Sequence, residues 1–124
     1  MAVLAVLAAA GGGRTARAGD DLYMRAWYIQ YVPEGESALY GDCAFYEFPG
    51  EDGILDTEDD RNLLMDGGRS GFAYDVLLPF LRERIGTDGI VWSMSVSSPG
   101  ADHYGGLQAV ADNFPVASYF ENTI

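Results

Sequence analysis

The chain is predicted to fold as α+β, with a small antiparallel sheet packed against one main helix. Three observations carry this. Two aromatic-rich apolar runs, Leu22–Val32 and Ala38–Phe48, flank a Pro33-Glu34-Gly35-Glu36 turn, the pattern of a β-hairpin. Ser70 to Gly86 carries an apolar stripe at helical spacing. Ile90–Val96 places Ile90, Trp92, Met94 and Val96 on one face and Ser93 and Ser95 on the other, as a half-buried strand does. One domain is expected, since 124 residues with 48% hydrophobic content support a single core.

Met1 to Ala10 (MAVLAVLAAA) is a short apolar run, and Ala16-Arg17-Ala18 has the Ala-x-Ala form of a signal-peptidase site, placing a candidate cut after Ala18. Residues 1–18 are therefore read as a signal peptide or as the remnant of a longer N-terminal apolar helix. Residues 19–124 form the acidic globular domain, and an exported location is expected: periplasm, cell surface or extracellular space. About ten apolar residues are too few to span a bilayer.

Within the first strand, Leu22 to Val32 (LYMRAWYIQYV) is apolar on both faces and rich in β-favouring aromatics. The second, Ala38 to Phe48 (ALYGDCAFYEF), includes Gly41 as a candidate bulge. It also holds Cys43, the only cysteine, which excludes an intramolecular disulfide and is expected to be a buried, inert thiol.

Glu51-Asp52-Gly53-Ile54-Leu55-Asp56-Thr57-Glu58-Asp59-Asp60 is the densest run of carboxylates. One reading is local: Asp56 caps a short helix from Thr57 through Met65, stopped by Gly67-Gly68, with Glu58 and Asp59 at its positive end. The other is a calcium site with Asp52, Asp56, Glu58 and Asp59 as ligands, because hard oxygen donors around a glycine turn suit Ca²⁺. The stretch 52–59 resembles the second half of an EF-hand or dockerin-type loop, in which glycine makes the turn, an aliphatic residue anchors it and later acids ligate. The first ligand positions of such a loop fall on Phe48 and Gly50, which offer no side-chain oxygen.

In the helix candidate, Phe72, Val76 and Phe80 form one row and Leu77, Leu81 and Ile85 its neighbour. Ser70 suits the N-cap and Gly86 the C-terminal end. Pro79 conflicts with an unbroken helix at a cost of about 3 kcal/mol. The expectation is a kink there, or two short helices with Pro79 opening the second. After the Ile90–Val96 strand, Ser97 to Gly106 reads as a loop, with His103, the only histidine, on its surface. A Ser–His or Cys–His dyad would rest on that residue alone. Val116–Phe120 is a fourth strand candidate.

The charge balance bounds the partners. Nineteen acids face seven bases, all of them Arg, for a net charge of −12. Such a field repels phosphate backbones and anionic lipid head groups, which argues against nucleic acid and membrane-surface binding. Cations, protein partners or self-assembly suit it better.

The run Trp92-Ser93-Met94-Ser95-Val96-Ser97-Ser98-Pro99-Gly100-Ala101-Asp102, then Asn113-Phe114-Pro115, then Tyr119 to Ile124, resembles the C-terminal sheet region of type II secretion pseudopilin-like proteins. The resemblance spans residues 92–124. It implies a non-catalytic globular head in a type II secretion or pilus-like assembly. It also implies calcium in the C-terminal loop, with Asp102 as a further candidate ligand. No catalytic residue is assigned. The alternative from another class is a secreted carboxylate-dependent hydrolase, which needs two acids facing each other from separate elements.

Overall fold

The computed structural model describes residues 2–8, 24–30 and 42–121. Six strands lie in sequence order across one sheet: β1 (Ala2–Ala8), β2 (Met24–Gln30), β3 (Ala44–Phe48), β4 (Arg61–Met65), β5 (Ser93–Val96) and β6 (Tyr119–Glu121). The α+β class holds. β1 to β4 pair antiparallel, but β4–β5 and β5–β6 pair parallel, so the sheet is mixed where an antiparallel one was expected. The reason is topological: both later strands return through helical crossovers, which deliver parallel neighbours.

The expected hairpin is present, with Trp27 opposite Phe45 and Ala26 opposite Tyr46. Its turn and Gly41 lie outside the described residues. Part of the run read as a leader, Ala2–Ala8, pairs along β2, while the candidate cut after Ala18 lies outside the described residues. Cys43 is buried, and desolvation raises its thiol pKa well above the ordinary value, with the charges of Asp66 and Asp42 adding to the rise.

Arg61–Met65 corrects the sequence reading, which continued a helix from Thr57 to Met65. It is β4, between β3 and β5, with Asn62 and Leu64 buried and Leu63 and Met65 half-buried on the other face. Leu-Leu-Met favours helix locally, but the two-sided pairing overrides a preference of a few tenths of a kcal/mol per residue. Asp56 caps no helix: it has φ +69°, in the left-handed region.

The helical crossover from β4 to β5 runs as α1 (Ser70–Phe72), a π-helical stretch (Ala73–Leu77) and α2 (Leu78–Ile85). Pro79 lies in the first turn of α2, directly after the wide π turns. A proline lacks the N–H and crowds the carbonyl four residues back, and the wider turns accommodate both. Ser70 is the first helical residue, not the cap; Arg69 holds that position. Gly86 ends α2 at φ +79°, a conformation glycine adopts without strain. The predicted stripe is the buried face: Phe72, Val76, Leu77, Phe80 and Leu81 pack with Phe45, Leu64 and Met94 of the sheet. Phe80 meets Trp27 and Phe45 edge-on at 5.7 and 5.8 Å. Burial of each such side chain contributes about 1.5–3 kcal/mol.

The second crossover holds α3 (Ala101–Tyr104), inside the stretch 97–106 where a loop was expected, and α4 (Leu107–Asn113), for which the sequence reading named no element. Leu107 and Val110 of α4 and the following Phe114 reach the same core. The fourth expected strand is present as β6 with a bridge between Val91 and Val116.

Candidate functional site

The acidic turn is held by its own backbone. Asp52 Oδ1 accepts from Ile54 N (2.8 Å), Asp59 Oδ2 from Asp52 N (3.1 Å) and Asp60 Oδ2 from Asp56 N (2.7 Å). Thr57 Oγ1 donates to Asp59 Oδ1 at 2.8 Å, the first cause of a lowered Asp59 pKa. Glu58 is exposed. Asp52, Asp56, Glu58 and Asp59 are thus close in sequence, but their carboxylates do not converge. Among the described residues, no group of three or more His, Cys, Asp or Glu side chains is arranged to hold a metal ion.

Asp56 instead faces two arginines that the sequence places far away. Arg25 of β2 donates to both its oxygens at 2.8 Å, and Arg84 of α2 to Oδ1 at 3.2 Å. Asp56 does this from a left-handed backbone position, φ +69°. Its pKa falls to about 2, chiefly through the Arg25 hydrogen bonds; desolvation opposes the fall, and the Arg25 charge and then Arg84 add to it. Beneath it, Glu47 is 7% exposed. It accepts from Trp27 Nε1 at 2.6 Å, from Arg84 Nη2 and Nε at 2.7 and 3.1 Å, and from Arg25 at 3.4 Å. Two guanidinium groups and two carboxylates cancel, and the Arg84 guanidinium also lies 5.0 Å over the Trp27 ring. The network therefore fastens the acidic turn to β2, β3 and α2.

A second polar cluster lies at the carboxyl ends of the parallel strands β4 and β5. Asp66, just after β4, is 4% exposed and has φ +63°. Its Oδ1 accepts from Ser97 N at 2.7 Å, and its Oδ2 from Ser97 Oγ at 2.6 Å. His103 Nδ1 lies 3.1 Å from the same Oδ2. Asp42 is 3.8 Å from Nδ1, and Asp102 is 3.9 Å from Nε2. His103 is therefore not a surface loop histidine: it sits on α3 with a side chain only one-fifth exposed. The hydrogen bond to Asp66 raises its pKa, desolvation opposes this, and the charges of Asp66, Asp102 and Asp42 add to the rise. The arrangement differs from a nucleophile triad: Ser97 Oγ donates to Asp66 and lies 3.3 Å from the same His103 Nδ1 that faces Asp66, not from Nε2. Asp102, the further candidate ligand, is half-exposed and faces Nε2, while the more exposed Asp42 faces Nδ1.

Sequence reading missed this cluster, although a signal existed. Asp66-Gly67-Gly68 and His103-Tyr104-Gly105-Gly106 each place a glycine pair after a polar residue, which marks close backbone approach. Gly67 N donates to His103 O, and Gly106 N to Gly68 O. A side chain at Gly106 would collide with the Gly67 carbonyl.

Beside this cluster, between β5, β6 and α4, lies a groove of about 910 Å³. Met94, Val96, Leu107 and Val116 supply its apolar wall, with Ser97 and Tyr104 at the end nearest His103.

The opposite face of the sheet has a different character. Tyr28, Tyr46, Phe48, Leu63, Met65, Ser93, Ser95 and Phe120 alternate with the core residues and so point away from the helices. Phe120 is 59% and Tyr28 42% exposed. A shallow hollow of about 360 Å³ is floored by Leu63, Met65, Ser93 and Ser95 and rimmed by Phe48, Trp92 and Phe120. The Arg61 guanidinium stacks 3.9 Å over Trp92 at its edge. Among the described residues this face carries no carboxylate.

Among the described residues no helix is long and apolar enough to cross a membrane. Comparison with protein-family models, with curated proteins and with solved structures finds no match to this chain.

Proposed function

We propose that the chain is an exported, non-catalytic assembly domain whose working surface is the outer face of the sheet. The observation that carries this is the apolar, aromatic, carboxylate-free face of β2 to β6 on a chain with 19 acids. A sheet apolar on both faces calls for a second layer, and among the described residues the helices supply only one. At about 4.8 Å per strand and 3.3 Å per residue, five strands of five residues make a patch of roughly 400 Å². That is the size of the largest apolar patch on a typical monomer, and such patches are often functional. Membership of a pilus-like assembly, which the resemblance of residues 92–124 implies, is one setting for such a surface.

Site-specific photocrosslinking in the producing cell tests the reading. A photoreactive phenylalanine at Phe120 is expected to form protein adducts. The same group at Tyr74, an equally exposed aromatic (61%) on the helical side, is expected to form few. Equal labelling at both positions, or none at Phe120, contradicts the assignment.

A second reading, hydrolysis, is favoured by one observation: a buried carboxylate, Asp66, holds His103 Nδ1 next to Ser97 and Tyr104 of the groove and leaves Nε2 on the side of Asp102. An imidazole so oriented suits general acid–base work on a neutral substrate. Turnover of a neutral ester panel that disappears in His103→Gln supports it, and absence of turnover removes it.

A further inference from the structure

We propose that the occupant of the outer sheet face is the same face of a second copy, paired about a two-fold axis with Phe120 of each chain seated in the hollow of the other. This rests on the reading of that face as an assembly surface and names its partner.

Shape gives the first argument. Phe120 stands out from β6, 59% exposed, and its neighbours along the register, Ser95 of β5 and Met65 of β4, form the floor beside it. A protruding ring next to a depression of serine, leucine and methionine is self-complementary: a two-fold rotation places each ring over the other chain's floor. The serines at positions 93 and 95 create the depression, since larger residues there would fill it. Phe48 and Trp92 on the rim give the incoming ring edge-on aromatic contacts.

Charge gives the second. Each chain carries −12, and the exposed acids Glu51, Asp52, Glu58, Asp75, Glu83 and Asp112 stand on the acidic turn and the helices, so contacts between copies there bring carboxylates together. On this face the charge among the described residues is Arg61, stacked over Trp92 at the margin. The outer face is thus where two such chains meet without opposing acids. The long-range field of each copy still opposes approach, and salt screens that field within about 8–10 Å at 0.1–0.15 M. Self-association is therefore expected to strengthen with salt, whereas binding of a basic partner weakens. The patch is smaller than the roughly 800 Å² per partner of a standard stable complex, which places the dimer in the weak class.

Sedimentation velocity of the full chain, from 5 to 500 µM at 20 and 500 mM NaCl, tests this. A monomer–dimer equilibrium is expected, with a dissociation constant on the order of 10–100 µM at high salt and about tenfold weaker at low salt. Phe120→Ser and, independently, Ser95→Glu should leave a monomer at all concentrations, with an unchanged circular dichroism spectrum. Tyr74→Ser on the helical side should leave the equilibrium intact. A wild-type monomer at 500 µM in both salts overturns the proposal, as does a dimer that both face variants retain or that salt weakens. If the wild type is monomeric yet Phe120 crosslinks to a different protein in the cell, the second copy is refuted and the assembly surface stands. If neither occurs, both fail.

Discussion

Replacing Glu47 by Gln should destabilise this fold more than replacing Asp56 by Asn, although both carboxylates bind the same two arginines. Glu47 is 7% exposed and accepts four hydrogen bonds, from Trp27, Arg84 twice and Arg25. A glutamine keeps the shape but offers one carbonyl oxygen, so a donor from Arg84 or Trp27 loses its acceptor and the guanidinium groups lose a buried counter-charge. Breaking a buried pair from one side costs about 3–5 kcal/mol. Asp56 continues to neutralise both arginines, which brings the expected loss to about 2–3 kcal/mol. For a chain of this length that corresponds to a fall in Tm of roughly 8–15 °C. The Asp56 side chain is 61% exposed, where solvent screens the pairing, so Asp56→Asn should cost less than about 1 kcal/mol. Urea unfolding of both variants, with circular dichroism and Trp fluorescence read together, decides between the two. A loss below about 0.5 kcal/mol for Glu47→Gln, or a larger loss for Asp56→Asn, refutes the reasoning that burial sets the strength of this network.

Three further outcomes are expected. Asp56 has its folded pKa depressed to about 2, so its contribution is present above the unfolded value near 3.9 and lost as pH falls through the folded one. Unfolding curves should show this loss between about pH 4 and 2, and Asp56→Asn should reduce it; an unchanged acid slope in the variant contradicts the pairing. His103 behaves oppositely: its folded pKa is raised, so its contribution is complete below about pH 6.5 and lost as pH rises through the folded value. Wild-type stability should therefore decline on that side, while His103→Gln flattens the decline; a wild type that gains stability there contradicts the Asp66–His103 geometry. Calcium at about 5 mM should shift Tm by less than about 1 °C, because Asp56 is engaged by arginines and Asp52 and Asp59 by the turn. A rise of several degrees, abolished by Asp52→Asn, would establish the calcium loop instead.

The parts of this fold visible in the sequence are those whose signal is local. The β2–β3 pairing follows from a short pattern and is present, as is the inward Met94 of β5, but the alternation fails before β5, where Val91 is buried and Ile90 exposed, and the helix at Pro79 stays continuous by widening into π turns. β4 was hidden because Leu63-Leu64-Met65 follows a plausible helix start, and only its neighbours on both sides make it a strand. α3 and α4 were hidden by the turn residues before them and by Gly105-Gly106, whose role is close packing against Gly67. The acidic run was legible as a feature but not in its role. Its partners, Arg25 and Arg84, lie 31 and 28 residues from Asp56, and nothing local marks them. Asp66 and His103 are likewise 37 residues apart. The outer face follows from the mixed topology, since the crossovers place both helical segments on one side.

The central claim, that the outer sheet face is covered when the protein works, is tested most directly by hydroxyl-radical footprinting of side chains in the assembled and dispersed protein. The account predicts that Phe120, Trp92 and Phe48 lose reactivity on assembly while Tyr74 and Tyr104, exposed on the helical side, keep theirs. Unchanged reactivity at Phe120 and Trp92, with protection at Tyr74 or Tyr104, would place the interface on the helices and contradict it.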